Sequence, residues 1–214
     1  MLTGEEVLVF TDRRDAGRQL AARLTGPWQE PLVLGLARGG VPVAAVVAAG
    51  LDAPLEVAVA RKIGAPGQPE WGIGAVTAEG PPIYDAASTS RLGLTAQQLA
   101  ELCEPERTEA ARRVELYEDG RTPASRVGRD VIVVDDGLAT GVTAIAALRA
   151  ARAEAPRSLT FAAPVGAPEA VERVRREADE VVCVEAPRDF TAVGRWYEDF
   201  DQTSDTEVIR LLKS

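Results

Sequence analysis

The chain has 214 residues, 24 of them Lys or Arg and 33 Asp or Glu, for a net charge of −9, and 46% are hydrophobic. That length suits one α/β domain, residues 1–214, with an accessory lobe, and that composition excludes a disordered chain. The acidic balance argues against a general nucleic-acid binder, and the absence of histidine excludes Ser-His-Asp and Cys-His catalysis and His-ligated metals.

Six apolar runs read as strands buried on both faces, as in a parallel sheet: residues 7–10, 32–34, 57–60, 131–134, 159–162 and 181–184. After the first, Ala16, Leu20 and Leu24 share a helical face, and Gly26 is placed to stop that helix. After the second, Val43, Val46 and Val47 share a face that ends near Gly50. The fourth leads into an alanine-rich helix, residues 143–153, with Ile145 and Leu148 inward; the fifth leads to Pro168 at the start of a helix carrying Val171 and Val174. Strands alternating with helices predict an open parallel sheet flanked by helices.

Two segments break the alternation. Residues 71–122 read as a hairpin (73–76 and Ile83-Tyr84 around Glu79-Gly80-Pro81-Pro82), then a long helix opened by the capping box Thr95-x-x-Gln98 and running to about Glu118. Residues 187–214 cluster Phe190, Trp196, Tyr197 and Phe200, then enter a short helix capped by Ser204-x-x-Glu207. Cys183 reads as a small core residue and Cys103 lies in a polar helical stretch, with no CxxC pair to suggest zinc or redox chemistry. No apolar run approaches the roughly 20 residues of a membrane span. Met1-Leu2-Thr3-Gly4-Glu5-Glu6 lacks the basic and apolar parts of a signal peptide, so the expectation is a cytoplasmic protein.

The most informative stretch is residues 131–143, Val-Ile-Val-Val-Asp-Asp-Gly-Leu-Ala-Thr-Gly-Val-Thr. A strand ends in two carboxylates, a turn of small residues follows, and a helix begins. Ligands of open parallel sheets bind beyond the carboxyl ends of the strands. Free N–H groups and the positive dipole end at a helix start suit a phosphate monoester. Gly141 permits close backbone approach, Thr140 and Thr143 add hydroxyls, and Asp135 and Asp136 can accept from a sugar diol or hold hydrated Mg²⁺. A single Asp would read as the cap of an ordinary βα turn; the pair with Thr-Gly-x-Thr spacing favours the phosphate site. Neither GxxxxGK[ST] nor GxGxxG occurs, which sets aside P-loop and dinucleotide enzymes.

This stretch resembles the signature of type I phosphoribosyltransferases, departing from it at Gly137, where the family usually carries an aliphatic residue. The resemblance implies that Asp135 and Asp136 meet the ribose hydroxyls of 5-phosphoribosyl-1-pyrophosphate (PRPP), directly or through Mg²⁺. It implies that the loop Gly137, Leu138, Ala139, Thr140, Gly141 and Thr143 surrounds the ribose and 5′-phosphate. Hypoxanthine-type members carry an acidic general base at the position of Ala139, and alanine here resembles adenine-type members.

Arg38-Gly39-Gly40, after the second strand, is an anion site on physical grounds or simply a tight turn before a core helix. It resembles the pyrophosphate loop of xanthine-guanine-type enzymes. Arg61-Lys62 closes the third predicted strand and is read either as a further pyrophosphate contact or as a solvated strand end. Residues 71–122 fall where the family has its catalytic loop, and read as a lid or as an oligomer-contact helix. The tail 187–214 resembles the hood of hypoxanthine-guanine-type enzymes. That implies Phe190 stacking on a heterocyclic base, with Val193, Gly194 and Tyr197 beside it, while Trp196 and Phe200 read equally as packing. The lysine with which those enzymes read a purine 6-oxo group has no counterpart, so the base stays open. The expected function is transfer of the phosphoribosyl group of PRPP to a nitrogenous base with Mg²⁺. Its rival is a PRPP sensor on the same fold, without turnover. Self-association is left open, and nucleic acid and membranes are not expected partners.

Overall fold

The computed structural model describes residues 10–214. The first predicted strand therefore lies outside the described residues except for Phe10, which bridges to Tyr197. Five parallel strands form the main sheet: β1 (Leu32–Leu36), β2 (Leu55–Ala58), β6 (Asp130–Val134), β7 (Ser158–Val165) and β8 (Glu180–Glu185), in the order β2-β1-β6-β7-β8. The strand carrying the acidic motif is thus the central one. Alternate residues of each strand enter different cores. Val131, Val133, Leu159 and Phe161 pack with α5 (Val142–Ala153) and α6 (Pro168–Val174), whereas Ile132, Val134 and Ala162 pack with α1 (Arg13–Ala21) and α2 (Gly40–Leu51). Burial on both faces is why these strands read as continuous apolar runs rather than alternating ones.

Three strands form a second, antiparallel sheet: β3 (Ala60–Ala65), β4 (Gln68–Thr77) and β5 (Ile83–Tyr84). Here the structure corrects the sequence reading. The run 57–60 is not one strand: β2 ends at Ala58, and Ala60 begins β3 in the other sheet. Apolar content alone does not reveal where a chain changes sheets. The Pro66-Gly67 turn, with Gly67 at φ 72°, marks the β3–β4 hairpin and was the available signal.

Ala60 and Ala75 of this small sheet join the same core as Ala146 and Ala147 of α5. A helix enclosed between two sheets has little room for large side chains, which accounts for its alanines. Ile145, predicted inward, is only half-buried, while Leu148 is fully buried.

The insertion continues through α3 (Ala86–Leu92), which the sequence reading missed although Asp85 caps it through the Ser88 amide at 2.9 Å. It ends with α4 (Ala96–Glu118). The predicted capping box is present: Thr95 Oγ1 accepts from the Gln98 amide at 3.3 Å, and Gln98 Oε1 accepts from the Thr95 amide at 2.9 Å. A 3₁₀ turn (Val193–Trp196) and α7 (Asp205–Leu212), capped by Ser204, complete the tail. Among the described residues no helix is long and apolar enough to cross a membrane.

Candidate active site

β1 and β6 run in register from Leu32 beside Val131 to Gly35 beside Val134, so the chain leaves both strands at the same end of the sheet. The two loops then touch. A Cβ on Gly39 would fall on the Asp136 carboxylate, and one on Gly40 would stand 2.6 Å from the Val134 carbonyl oxygen and 2.9 Å from Asp135 Cα. Only glycine permits this approach, which is a stronger constraint than a tight turn alone would impose. Arg38-Gly39 and Asp135-Asp136 thus share the carboxyl edge, as their strand-end positions predict.

Asp136 is held from several sides. Arg13, the first residue of α1, brings Nε and Nη2 each to 2.9 Å from Oδ2. Its Nη1 donates to the Asp201 carbonyl at 2.6 Å, and its guanidinium lies 4.0 Å from the centre of the Phe200 ring. The Tyr197 hydroxyl donates to the Asp136 carbonyl oxygen at 2.6 Å. Tyr197 is 3% exposed, with its ring centre 5.2 Å from that of Phe10 and 4.9 Å from that of Phe200. Burial pushes its hydroxyl far above the ordinary tyrosine value, so it stays a donor.

Asp135 Oδ1 accepts the Asp136 amide at 2.9 Å, and beyond Asp136 itself no described residue donates a hydrogen bond to this carboxyl. Burial, then the neighbouring Asp136 charge, pushes the Asp135 carboxyl well above its usual range. Burial pushes Asp136 up too, against the opposing pull of Arg13. A half-buried acid pair in this state suits a cation or a hydroxyl-rich ligand. Among the described residues no group of three or more Asp, Glu, Cys or His side chains gathers around a point. A cation here would therefore draw most of its ligands from a bound phosphate compound and water.

Beyond Asp136 the chain is pinned before it opens to solvent. Leu138 is 2% exposed; its N–H donates to the Val165 carbonyl at 2.9 Å and its carbonyl accepts from Ala167 at 2.8 Å. Leu138, expected among the loop contacts, is thus anchored by both of its backbone polar groups. Ala139 and Thr140 are exposed, and Thr143 is half-buried. Gly141, at φ 78°, begins α5 without any side-chain cap, leaving first-turn N–H groups for an anion. Arg173 of α6 donates to the Thr140 carbonyl at 2.5 Å. In a trans peptide the C=O and N–H point oppositely, so this bond turns the Gly141 N–H away from α6.

The tail supplies the residue that Gly137 lacks. A Cβ on Gly137 would stand 2.6 Å from Val193 Cγ2, so the valine occupies the volume that an aliphatic side chain at 137 would fill. Gly194 lies against Phe200, whose Cδ1 would be 2.9 Å from a Cβ there. Phe190 is half-buried against Phe10, Val165 and Tyr197. Tyr197, expected beside a base, supports the acidic loop through its bond to the Asp136 carbonyl. The remaining cations each have an acidic partner. Arg38 Nη1 is 3.7 Å from Asp205, whose Oδ1 also accepts the Tyr117 hydroxyl at 2.6 Å. Arg61 and Lys62 lie on β3, paired with Glu106 at 2.8 Å and Glu70 at 3.5 Å, and no hydrogen bond or ion pair joins them to Asp135, Asp136 or the loop that follows. Arg13 was missed, because nothing local marks a partner 123 positions away; the polar turn Thr11-Asp12-Arg13-Arg14 was the only signal.

An open parallel sheet whose strand-end loops run into helix starts is the architecture of α/β proteins that hold phosphate-bearing ligands. The family model of the phosphoribosyl transferase domain matches residues 11–200, and the chain belongs to that family. It is 44% identical over 205 residues to a Mycobacterium tuberculosis protein, present in two strains and provisionally named a phosphoribosyl transferase; the match covers 95% of this chain and 46% of that one. The chain thus spans about half the length of the curated relatives it matches. The solved structure of TT1426 from Thermus thermophilus superposes with a TM-score of 0.80 at 43% identity, covering 95% of this chain and 97% of that one.

Proposed function

We propose that this protein transfers the phosphoribosyl group of PRPP to a nitrogenous base and releases pyrophosphate. The observation that carries the reading is the meeting, at one sheet edge, of the Gly39-Gly40 loop, the acidic pair and the uncapped start of α5. Exposed Ala139 and Thr140, the Gly141 turn and the first turn of α5, with Thr143, hold the 5′-phosphate; the acidic end of β6 faces the ribose diol. Arg38 and the Gly39-Gly40 backbone take the pyrophosphate, and Arg61 and Lys62 join them only on leaving their present partners Glu106 and Glu70. Mg²⁺ held at the acidic end of β6 would supply positive charge to offset that of the departing pyrophosphate. Phe190 stacks on the base, and the Val193-Gly194 backbone meets its edge. The insertion 71–122 shields the reacting carbon from water, in the manner of a lid. The reading places the protein in nucleotide salvage in the cytoplasm.

Catalysis in this scheme is positioning and charge stabilisation, since the chain offers no histidine. One observation favours a second reading, a PRPP sensor: at the place of the family's acidic base, Ala139 presents only a methyl group. A panel of purines and pyrimidines, each incubated with PRPP and Mg²⁺ and assayed for pyrophosphate, separates the two. Base-dependent release supports the enzyme. Tight PRPP binding without release on any base supports the sensor, and absence of PRPP binding sinks both.

A further inference from the structure

The acidic pair is not symmetric, and the asymmetry comes from outside the motif. Asp136 Oδ2 receives two nitrogens of Arg13 at 2.9 Å, and the two side chains are 15% and 12% exposed. The same carboxylate lies against the Cα of Gly39. Arg13 is itself fixed, by the Asp201 carbonyl at 2.6 Å and the Phe200 ring at 4.0 Å. Four parts of the chain thus close around one carboxylate: α1, the Gly39 loop, the end of β6 and the tail. A guanidinium does not lose its proton in a protein, so Asp136 always faces a positive charge. A divalent ion on that carboxylate would have to sit beside a fixed positive charge. Asp135 differs, because beyond Asp136 itself no described residue donates to its carboxyl.

We propose that Arg13 takes the place of a metal ion at the second carboxylate, making Asp136 a clamp between α1, the Gly39 loop and the tail, and leaving Asp135 as the one acid that meets the cation and the ribose diol. The metal and diol roles rest on the phosphoribosyl reading; the exclusion of metal from Asp136 does not. Arg13 is on this view a positioning residue. It also explains why the N-terminal helix and the C-terminal tail, at opposite ends of the described chain, meet at the motif.

The test is Mn²⁺ binding followed by electron paramagnetic resonance on the full chain, with and without PRPP. The variants are Asp135→Asn, Asp136→Asn and the double Arg13→Met/Asp136→Leu, which removes both charges and spares the fold an unpaired ion. Expected with PRPP is Mn²⁺ affinity within about threefold of wild type for the double variant, and at least about tenfold weaker for Asp135→Asn. Loss in the double variant equal to that in Asp135→Asn, with the fold intact by circular dichroism, overturns the proposal. If the wild type binds no PRPP, the phosphoribosyl reading fails, and Mn²⁺ alone decides the inference. Unchanged Mn²⁺ behaviour in Asp136→Asn then supports it, and weakened binding overturns it.

Discussion

Aspartates stand at both ends of β6, in opposite electrical conditions. At the amino end, Asp130 is 1% exposed, yet its carboxylate is satisfied by the Gln29 amide at 2.7 Å, the Ser158 hydroxyl at 2.6 Å and the Arg157 guanidinium. Burial alone would raise its pKa, but these three donors outweigh burial and hold it below the usual carboxylate value. At the carboxyl end, burial wins, and Asp135 is pushed well above that value. The difference lies in who supplies the donors. An acid whose partners are all within the protein fastens the structure, whereas an acid left short of donors is poised for a ligand. Asp136, matched by Arg13, belongs with Asp130 in its pairing and with Asp135 in its position.

The strand between the two ends should show the largest effect. Ile132→Ala, in the middle of β6, removes buried volume from the α1–α2 face and should cost about 2–5 kcal/mol, read from the urea midpoint. A loss well below that range would mean the strand is not a rigid spacer between its ends. Asp130→Asn should cost roughly 1–3 kcal/mol of stability while leaving PRPP affinity unchanged; a matching fall in affinity would erase the distinction between the ends. At the carboxyl end, Phe190→Ala should weaken base binding by about 1–3 kcal/mol, roughly 5- to 150-fold, and leave the donor untouched. Calorimetry with each ligand separately reads this, and equal losses for both would place Phe190 in the scaffold.

Two smaller effects sharpen the contrast. A carboxyl held below its ordinary value stabilises the fold above that value and loses this contribution as pH falls through its lower folded value. Wild type should therefore lose more stability than Asp130→Asn as pH drops below about 4, and parallel curves would remove Asp130 from the account. Arg173→Ala, at an exposed contact, should weaken ribose 5-phosphate binding by about 1 kcal/mol, roughly fivefold, through the freed Thr140–Gly141 peptide. No change would mean the loop keeps its orientation unaided.

The central strand, the acidic pair and the Thr95 and Ser204 caps were legible because each is written within a few consecutive residues. The break between β2 and β3 was not, since Val59 is as apolar as its neighbours and only pairing with β4 separates them. Tyr197 and Arg13 show the other limit. Aromatic and basic residues were visible, but whether a ring faces a ligand or a carbonyl is decided by a fold spanning 61 positions in one case and 123 in the other.

The valine that sits over Gly137 means that this protein writes part of its motif far from the motif. The bulk beside Gly137 is supplied here from 193, 56 positions along the chain. The two positions share one volume, so they should be inherited as a pair. A relative with a branched residue at 137 should carry a small one at 193, and transplanting either segment alone into such a relative would bring two side chains into one space or leave it empty. A contiguous pattern will therefore miss any protein built this way, while a pattern that reads the two positions together will not.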